Sequence, residues 1–571
     1  MRNALRATTA SLMDRPDEGT GRKTMRVVLG ACLAGFAALA PAAAMAATQT
    51  CGSLLNARLQ NIEVTSASEV VDTLPAADLV PARGQGTKSI NAYLLNMPRF
   101  CRVMAKLTPV PKSNINIELW LPKQWNGKLL GIGSHGFGGN FERGDMAMGL
   151  HRGYAVVATD TGHSAGEEVA GKTVFNIGSA KFAVGNDVAV DDFAWRAVHE
   201  MTVAAKQLVS LNYGTQPNKA YFFGCSNGGR QAMREVQQFP ADYDGVISGS
   251  AAQDWTRSFA STLVQFQAGT LPSGAKMSPA KLSLARNSAL ATCDRLDGVA
   301  DGVLADPERC HWDPRKIECK AGGNSTDCLN GEEIAAITRI EAPLRDPATG
   351  EMLYDGMVPG SEELWKNMFS FNPVTANFFR YMVVGNPSWS AENAAKANVV
   401  ELLRKSEERN SPGNKINSIN PDISAFRDRG GKLIQYHGWN DPSFAPGFSP
   451  RYYAEVIGLQ PGSDRQARTQ EFYRLFMAPG MAHCHGGTGP VNFGGLDHHP
   501  LPTIDADHDL LEALDRWVEK GVAPDRVIAT QFAEGQAPQR QMPLCPYPKI
   551  ATYIAGDVNH ANSFACKAPP K

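Results

Sequence analysis

The sequence predicts an α/β fold, a mostly parallel sheet covered on both faces and interrupted by a large inserted segment. Three observations lead there. Residues 113–250 alternate short apolar runs with helical patterns. Residues 251–420 lose that alternation and are rich in Ala, Ser, Asn and Pro. The alternation then resumes near residue 432.

Ile115–Trp120 alternates with period two and reads as a strand. Leu129–Gly133 and Tyr154–Thr159 are short apolar runs ending in Gly or in Asp160-Thr161-Gly162, again strands. Asp191–Asn212 carries apolar residues at i, i+3 and i+4 and reads as a helix. Ala220–Gly224 is a strand feeding a helix that ends near Phe239, and Val246–Gly249 is the next strand. After the insertion, Lys432–Tyr436 and Phe472–Met477 read as strands and His508–Lys520 as an amphipathic helix. This gives a signal segment over 1–46, one α/β domain over 47–252 and 420–571, and an inserted cap over 253–419.

Composition narrows the function classes. The chain has 571 residues, 43% hydrophobic and 20% charged, which excludes a mainly disordered chain, a coiled coil and a collagen-like fibre. Its 56 basic and 57 acidic residues give a net charge of −1. That leaves no electrostatic footprint for a nucleic-acid partner. Arg22, Lys23 and Arg26 precede the apolar run Val27–Ala40, followed by Pro41 and Ala44-Met45-Ala46, an A-x-A cleavage pattern. The reading is export with cleavage, to a secreted or periplasmic location. The competing readings are a membrane anchor, for which the run is short, and a lipoprotein site at Leu29-Gly30-Ala31-Cys32. Translation starts at Met1 or Met25. Removing residues 1–46, which hold six basic and three acidic groups, leaves a net charge near −4. No second run of 18 apolar residues follows, so no membrane association is expected after cleavage.

Ten cysteines remain after Cys32 is removed: Cys51, Cys101, Cys225, Cys293, Cys310, Cys319, Cys328, Cys484, Cys545 and Cys566. An even number in an exported chain implies disulfides. Spacing favours the local pairs Cys293–Cys310, Cys319–Cys328 and Cys545–Cys566. No C-x-x-C is present, which weighs against zinc.

Gly224-Cys225-Ser226-Asn227-Gly228 fits G-x-S-x-G with a strand before it and a helix after it. That context is a nucleophile elbow, the turn that exposes a serine at the end of the sheet in the α/β-hydrolase fold. A serine needs a base, and the base needs an orienting acid, which follow it in chain order. Asp441, in the loop after strand 432–436, fits the acid. His483, in the loop after strand 472–477, fits the base. His485, His437 and the pair His498 and His499 compete with it, and the histidine cluster also admits a metal-binding reading. Cys225 adjoins the serine and Cys484 adjoins His483, so a bond between them would tie the two loops together. By chain entropy alone such a bond stabilises by on the order of 5 kcal/mol. Asn227, just after the serine, supplies one backbone donor for an oxyanion.

Gly224–Arg230 together with Pro479–Cys484 resembles the tannase and feruloyl esterase family, which includes the mono(2-hydroxyethyl) terephthalate hydrolase. Trp125-Asn126-Gly127, Thr159–His163, Phe239–Gly245, Tyr436-His437-Gly438 and Pro543–Pro548 resemble further segments of it. The resemblance implies an α/β-hydrolase fold with a large inserted lid and a Ser226, Asp441, His483 triad. It implies the disulfides Cys51–Cys101, Cys225–Cys484, Cys293–Cys310, Cys319–Cys328 and Cys545–Cys566. It places the second oxyanion donor at Gly136, with His135 and Phe137 lining the acyl pocket. Those two side chains depart from the terephthalate hydrolase.

Asp294-Arg295-Leu296-Asp297-Gly298-Val299-Ala300-Asp301-Gly302-Val303 spaces three carboxylates at i, i+3 and i+7, with glycines that permit sharp turns. The pattern admits either a calcium site, since calcium takes hard oxygen ligands of this kind, or a solvated acidic loop, and no bidentate Glu follows as in an EF-hand. The resemblance adds the carbonyls of Val299 and Val303 and makes the ion structural. No organic cofactor is expected. Trp365, Phe369, Phe371, Phe378, Phe379, Arg380 and Tyr381 form either an aromatic substrate wall or plain cap core.

The expected function is a secreted serine carboxylic-ester hydrolase acting on small aromatic-acid esters, feruloyl or galloyl, released from plant cell-wall polysaccharide or tannin. The alternatives are a terephthalate monoester hydrolase and, in another class, an inactive carbohydrate- or phenolic-binding relative.

Overall fold

Nine strands build the central sheet: β1 (Ile62–Asp72), β2 (Met97–Leu107), β3 (Ile115–Pro122), β4 (Lys128–Ile132), β5 (Ala155–Thr159), β6 (Lys219–Cys225), β7 (Gly245–Gly249), β8 (Lys432–Gly438) and β9 (Tyr473–Ala478). The computed structural model describes residues 50–75, 78, 92–169, 172–320, 326–495, 501, 503–533 and 537–569. The expected signal segment, residues 1–46, lies outside them, as do His498 and His499.

The strand order is β1-β2-β3-β5-β4-β6-β7-β8-β9. From β5 to β9 every pairing is parallel, whereas β1, β2, β3 and β5 pair antiparallel in turn. The sheet is therefore mixed. β1 went unread in the sequence because it buries none of its side chains fully and shows no apolar run, and β2 went unread although Cys101, Val103, Ala105 and Leu107 alternate with Arg102, Met104 and Lys106.

Period-two alternation sends neighbouring side chains to opposite faces. Leu129, Val157, Phe222, Val246 and Leu433 join a core with helices α2 (Ala197–Tyr213) and α3 (Asn227–Gln238). Leu130, Val156, Phe223, Ile247 and Ile434 join the opposite core with α1 (Arg143–His151) and α5 (Leu510–Lys520). Between β7 and β8 the chain leaves the sheet and forms the inserted segment. It opens with α4 (Trp255–Ala268) and includes one small ribbon, Leu344–Arg345 against Met352–Tyr354. A third core, rich in Trp and Phe, joins this segment to Phe137, Phe193 and Phe444. No helix among the described residues is long and apolar enough to cross a membrane.

Five cysteine pairs are joined. Cys51–Cys101 ties the 3₁₀ turn Cys51–Asn56 to β2, with the Cα atoms 5.5 Å apart. Cys293–Cys310 (5.5 Å) and Cys319–Cys328 (4.8 Å) close short loops in the inserted segment. Cys545–Cys566 (5.4 Å) joins two C-terminal segments 21 residues apart. The fifth pair, Cys225–Cys484, spans 259 residues of chain.

Candidate active site

β6 ends at Cys225, and the chain turns through Ser226 directly into α3. Ser226 has φ 63° and ψ −123°, outside the favoured regions for a side-chain-bearing residue. The turn closes because Gly224 carries no side chain: a Cβ there would lie 2.5 Å from the Gly228 backbone. Ser226 is held by backbone bonds from its own N–H to Gly249 O (3.0 Å) and from Ala252 N–H to its carbonyl (3.1 Å).

Three segments meet at this hydroxyl. His483 Nε2 lies 2.9 Å from Ser226 Oγ, and His483 Nδ1 lies 2.7 Å from Asp441 Oδ2. With the proton on Nδ1, the ring donates to Asp441 and accepts from the serine. Asp441 follows β8 and is fully buried. Its Oδ1 accepts from the N–H groups of Ser443 (2.8 Å) and Phe444 (3.2 Å). His437 Nε2 stands 3.2 Å from the same Oδ2 that meets His483. Burial alone would raise the Asp441 carboxyl; the charge of His483 and the proximity of His437 outweigh it and hold the group well below the usual carboxylate range. Asp441 is thus a carboxylate wherever His483 needs one.

The Cys225–Cys484 bridge, Cα–Cα 5.9 Å, ties the two loops one residue from the serine and one from the imidazole. The other half-cystines stand apart from the cavity in front of the serine: Cys51, Cys101, Cys293, Cys310, Cys319, Cys328, Cys545 and Cys566 are absent from its lining. They close loops elsewhere in the fold.

Of the competing histidines, His437 is buried and hydrogen-bonds Ser449 Oγ through Nδ1 (2.7 Å). It stands beside Asp441, buried with it. His485 lines the cavity. That cavity, about 270 Å³, is walled by Trp255, Phe259, Met368, Phe444 and Ile177, with Thr262, Asn372, Thr375 and Ser443 as its polar groups. His135, Gly136, Ser226 and His483 line it together.

Asn227 is the first residue of α3, so its N–H has no partner within the helix and sits at the positive end of the helix dipole.

One expectation is corrected. Phe137 does not line the pocket. It is fully buried behind it against Phe182, Phe193 and Trp255, because the chain at 136–137 turns and bonds Ile177 O through the Phe137 N–H (2.7 Å). Of the two readings of the inserted segment's aromatic cluster the core one holds: Trp365, Phe369, Phe371, Phe378, Phe379 and Tyr381 are absent from the cavity lining. Phe378 stacks behind Phe259, and Arg380 is turned to Trp389 O (3.0 Å) and Asn377 Oδ1 (3.0 Å). Trp255, Phe259 and Phe444 face the substrate space instead. Their local sequence resembles that of any buried segment, so nothing in it distinguished them.

In the loop 294–303, Gly298 (φ 102°) and Gly302 (φ 86°) make left-handed turns. The carboxylates accept local amides: Asp294 Oδ2 from Gly302 (2.9 Å), Asp297 Oδ1 from Val299 (3.2 Å) and Asp301 Oδ1 from Val303 (3.3 Å). Asp301 is also paired with Arg540. Asp294 Oδ1 and Asp297 Oδ2 are buried without a partner. Burial, then Asp301 and Asp294, push the Asp297 carboxyl up to about 7.

The family profile described as tannase and feruloyl esterase matches residues 101–567. The chain belongs to the tannase and feruloyl esterase family. It is 35% identical to an uncharacterised esterase of Xanthomonas campestris over 96% of each chain. It is 30% identical to feruloyl esterase B of Aspergillus niger, covering 92% of this chain and 98% of that one. The crystal structure of feruloyl esterase B from Aspergillus oryzae superposes with a TM-score of 0.78 at 29% identity, over 90% of this chain and 99% of that chain. The tannin acyl hydrolase of Aspergillus niger shares the fold at TM-score 0.67 and 22% identity, over 89% of this chain and 92% of that chain. This family member is accordingly a carboxylic-ester hydrolase of α/β-hydrolase type.

Proposed function

We propose that the protein is an exported serine esterase that cleaves small aromatic-acid esters through an acyl-enzyme on Ser226. The observation that carries this reading is the continuous series Ser226 Oγ, His483, Asp441 at 2.9 and 2.7 Å, opening on a cavity walled by aromatic rings.

Ser226 attacks the ester carbonyl as His483 takes its proton. Asp441 stabilises the imidazolium and fixes its orientation. The amides of Asn227 and Gly136 receive the developing oxyanion charge. His483 then protonates the leaving alcohol, and water, activated by the same imidazole, releases the acid. Trp255, Phe259 and Phe444 offer flat apolar area to an aromatic acyl group. The feruloyl esterase B relatives make a feruloyl or related phenolic acyl group the first choice.

Calcium fits the loop 294–303. Asp294 and Asp297 each keep one buried carboxylate oxygen without a partner, hard oxygens of the kind calcium takes, while the oxygens of Asp301 are engaged by the Val303 amide and by Arg540. The carbonyls of Val299 and Val303 complete the proposed set. The ion would supply positive charge and fix the loop beside the Cys293–Cys310 bridge. Export rests on the N-terminal pattern and is supported by five disulfides, which need an oxidising compartment.

Initial rates on methyl ferulate, methyl gallate and mono(2-hydroxyethyl) terephthalate test the substrate class. The expected order puts the ferulate first. A preference for the terephthalate ester would transfer the assignment to that activity. Binding of all three without turnover would identify an inactive binding relative.

A further inference from the structure

We propose that the buried side chains of Arg230, Asn227, Ser134 and Gln231 form a positioning device that sets the two oxyanion amides relative to each other and couples that setting to the lid. The inference rests on the catalytic reading above and assigns roles to residues that reading does not use.

The two amides come from separate segments. Gly136 follows β4, and Asn227 opens α3. Ser134, two residues before Gly136, bridges them. Its Oγ accepts from Asn227 Nδ2 (3.0 Å) and from Gln231 Nε2 (3.1 Å), and its N–H donates to Gln231 Oε1 (2.9 Å). The glycine segment is thus pinned to the first turn of α3 at three points. Asn227 is pinned from the other side as well, because its Oδ1 accepts from Arg230 Nε (2.7 Å). Both ends of its amide are therefore spoken for, and its backbone N–H is held with it.

Arg230 carries the chain of contacts into the lid. Its guanidinium donates to Ala194 O (2.7 Å), Phe193 O (3.1 Å) and Ile416 O (3.3 Å), and Ile416 belongs to the inserted segment. The cation sits over the rings of Phe193 (5.1 Å) and Trp255 (5.7 Å), and Trp255 is a cavity wall. All four side chains are buried, with Arg230 at 0% exposure. A buried cation satisfied by neutral oxygens costs stability relative to an apolar side chain of the same size. Packing alone therefore gives no reason for an arginine here. A rigid fork that joins the elbow helix, the helical segment Asp192–Arg196 and the inserted segment does. Oxyanion donors act through preorganisation, and a shift of about 1 Å costs on the order of 10²-fold in rate.

Ser134→Ala removes a single oxygen from this chain of contacts. The assay uses 4-nitrophenyl acetate, an activated ester that needs no particular acyl pocket. It also uses phenylboronic acid, which forms a tetrahedral adduct on a reactive serine, and ferulic acid as a planar ligand. We expect kcat to fall roughly 10- to 100-fold with KM nearly unchanged. Phenylboronic acid affinity should fall in parallel, ferulic acid affinity should hold, and the thermal midpoint should shift by a few degrees at most. The double variant Ser134→Ala/Gln231→Leu should be little worse in kcat than Ser134→Ala, because the two residues act as one unit. Arg230→Lys should lower kcat in the same way, and Ser134→Ala carries the test if that variant does not fold. Wild-type kcat and boronate affinity in Ser134→Ala would overturn the proposal. So would losses in kcat that simply follow lost thermal stability. Wild-type enzyme inert toward both ester and boronate would overturn the catalytic reading and this inference with it.

Discussion

Asp441 and Asp297 are equally hidden from solvent, at 0% and 3% exposure, yet their carboxyls are driven in opposite directions. Each lies in a loop bracketed or flanked by a disulfide. The difference is in the company each keeps. Asp441 has two backbone N–H donors and two imidazoles around it, and it stays ionised. Asp297 has one amide from Val299, one oxygen without a partner, and two neighbouring aspartates. Burial sets the cost of a charge; the neighbours decide whether the protein itself meets it. The triad loop is electrostatically complete. The loop 294–303 leaves two buried carboxylate oxygens, on Asp294 and Asp297, without partners.

The triad side of this contrast breaks most sharply. Ser226→Ala is expected to reduce kcat by on the order of 10⁶. Asp441→Asn is expected to cost roughly 10⁴, because the amide favours the wrong imidazole tautomer. Steady-state kinetics on one ester substrate measures both. A loss under tenfold in either would mean that the serine, imidazole and carboxylate do not work in series. The paired variant Cys225→Ser/Cys484→Ser should lower kcat and also reduce stability by about 2–5 kcal/mol, read by urea unfolding. Unchanged kcat would reduce the bridge to a staple with no part in aligning the loops.

The lid side gives smaller effects with a sign. Calcium at about 100 times its Kd should stabilise by about 2.7 kcal/mol, and chelation should reverse it in a thermal scan. Asp297→Asn should abolish that response while leaving kcat close to wild type. In calcium-free buffer the raised Asp297 pKa means the folded protein binds more protons than the unfolded chain between about pH 4 and pH 7. Its contribution to stability therefore declines as pH rises through that window and levels off above it. The depressed Asp441 works the other way: its contribution is present above the ordinary carboxylate range and is lost as pH falls below it. Calcium should help most above pH 7, where Asp297 is ionised. A calcium benefit that is equal at pH 5 and pH 8 would contradict the account.

Much of this was legible in the chain. The apolar runs at 129–133, 154–159, 220–224, 246–249 and 432–436 announce buried parallel strands, because a strand covered on both faces is apolar throughout. The elbow pentapeptide and the two loop-end residues Asp441 and His483 followed from chain order and chemistry. The short-range pairs Cys293–Cys310, Cys319–Cys328 and Cys545–Cys566 were readable from spacing, since close half-cystines have few other partners within reach. Cys51–Cys101 was not, because fifty residues separate the two half-cystines and the pairing depends on where β2 lies in the sheet. The cavity-wall residues Trp255, Phe259 and Phe444 were hidden for a similar reason. Their roles depend on where β8, α4 and the 443–444 turn converge, and no local periodicity encodes that meeting. Phe137 misled because adjacency to Gly136 in sequence is not adjacency in the pocket: the turn sends it into the core. The network of Ser134, Gln231 and Arg230 was equally silent, since its members are polar residues that local sequence gives no cause to bury.

The most direct test is the mass of the purified protein after reaction with a fluorophosphonate, with the modified peptide sequenced. The account predicts one adduct, on Ser226, formed rapidly in the wild type and very slowly in His483→Ala. No adduct, or an adduct on another residue at undiminished rate in His483→Ala, would contradict it.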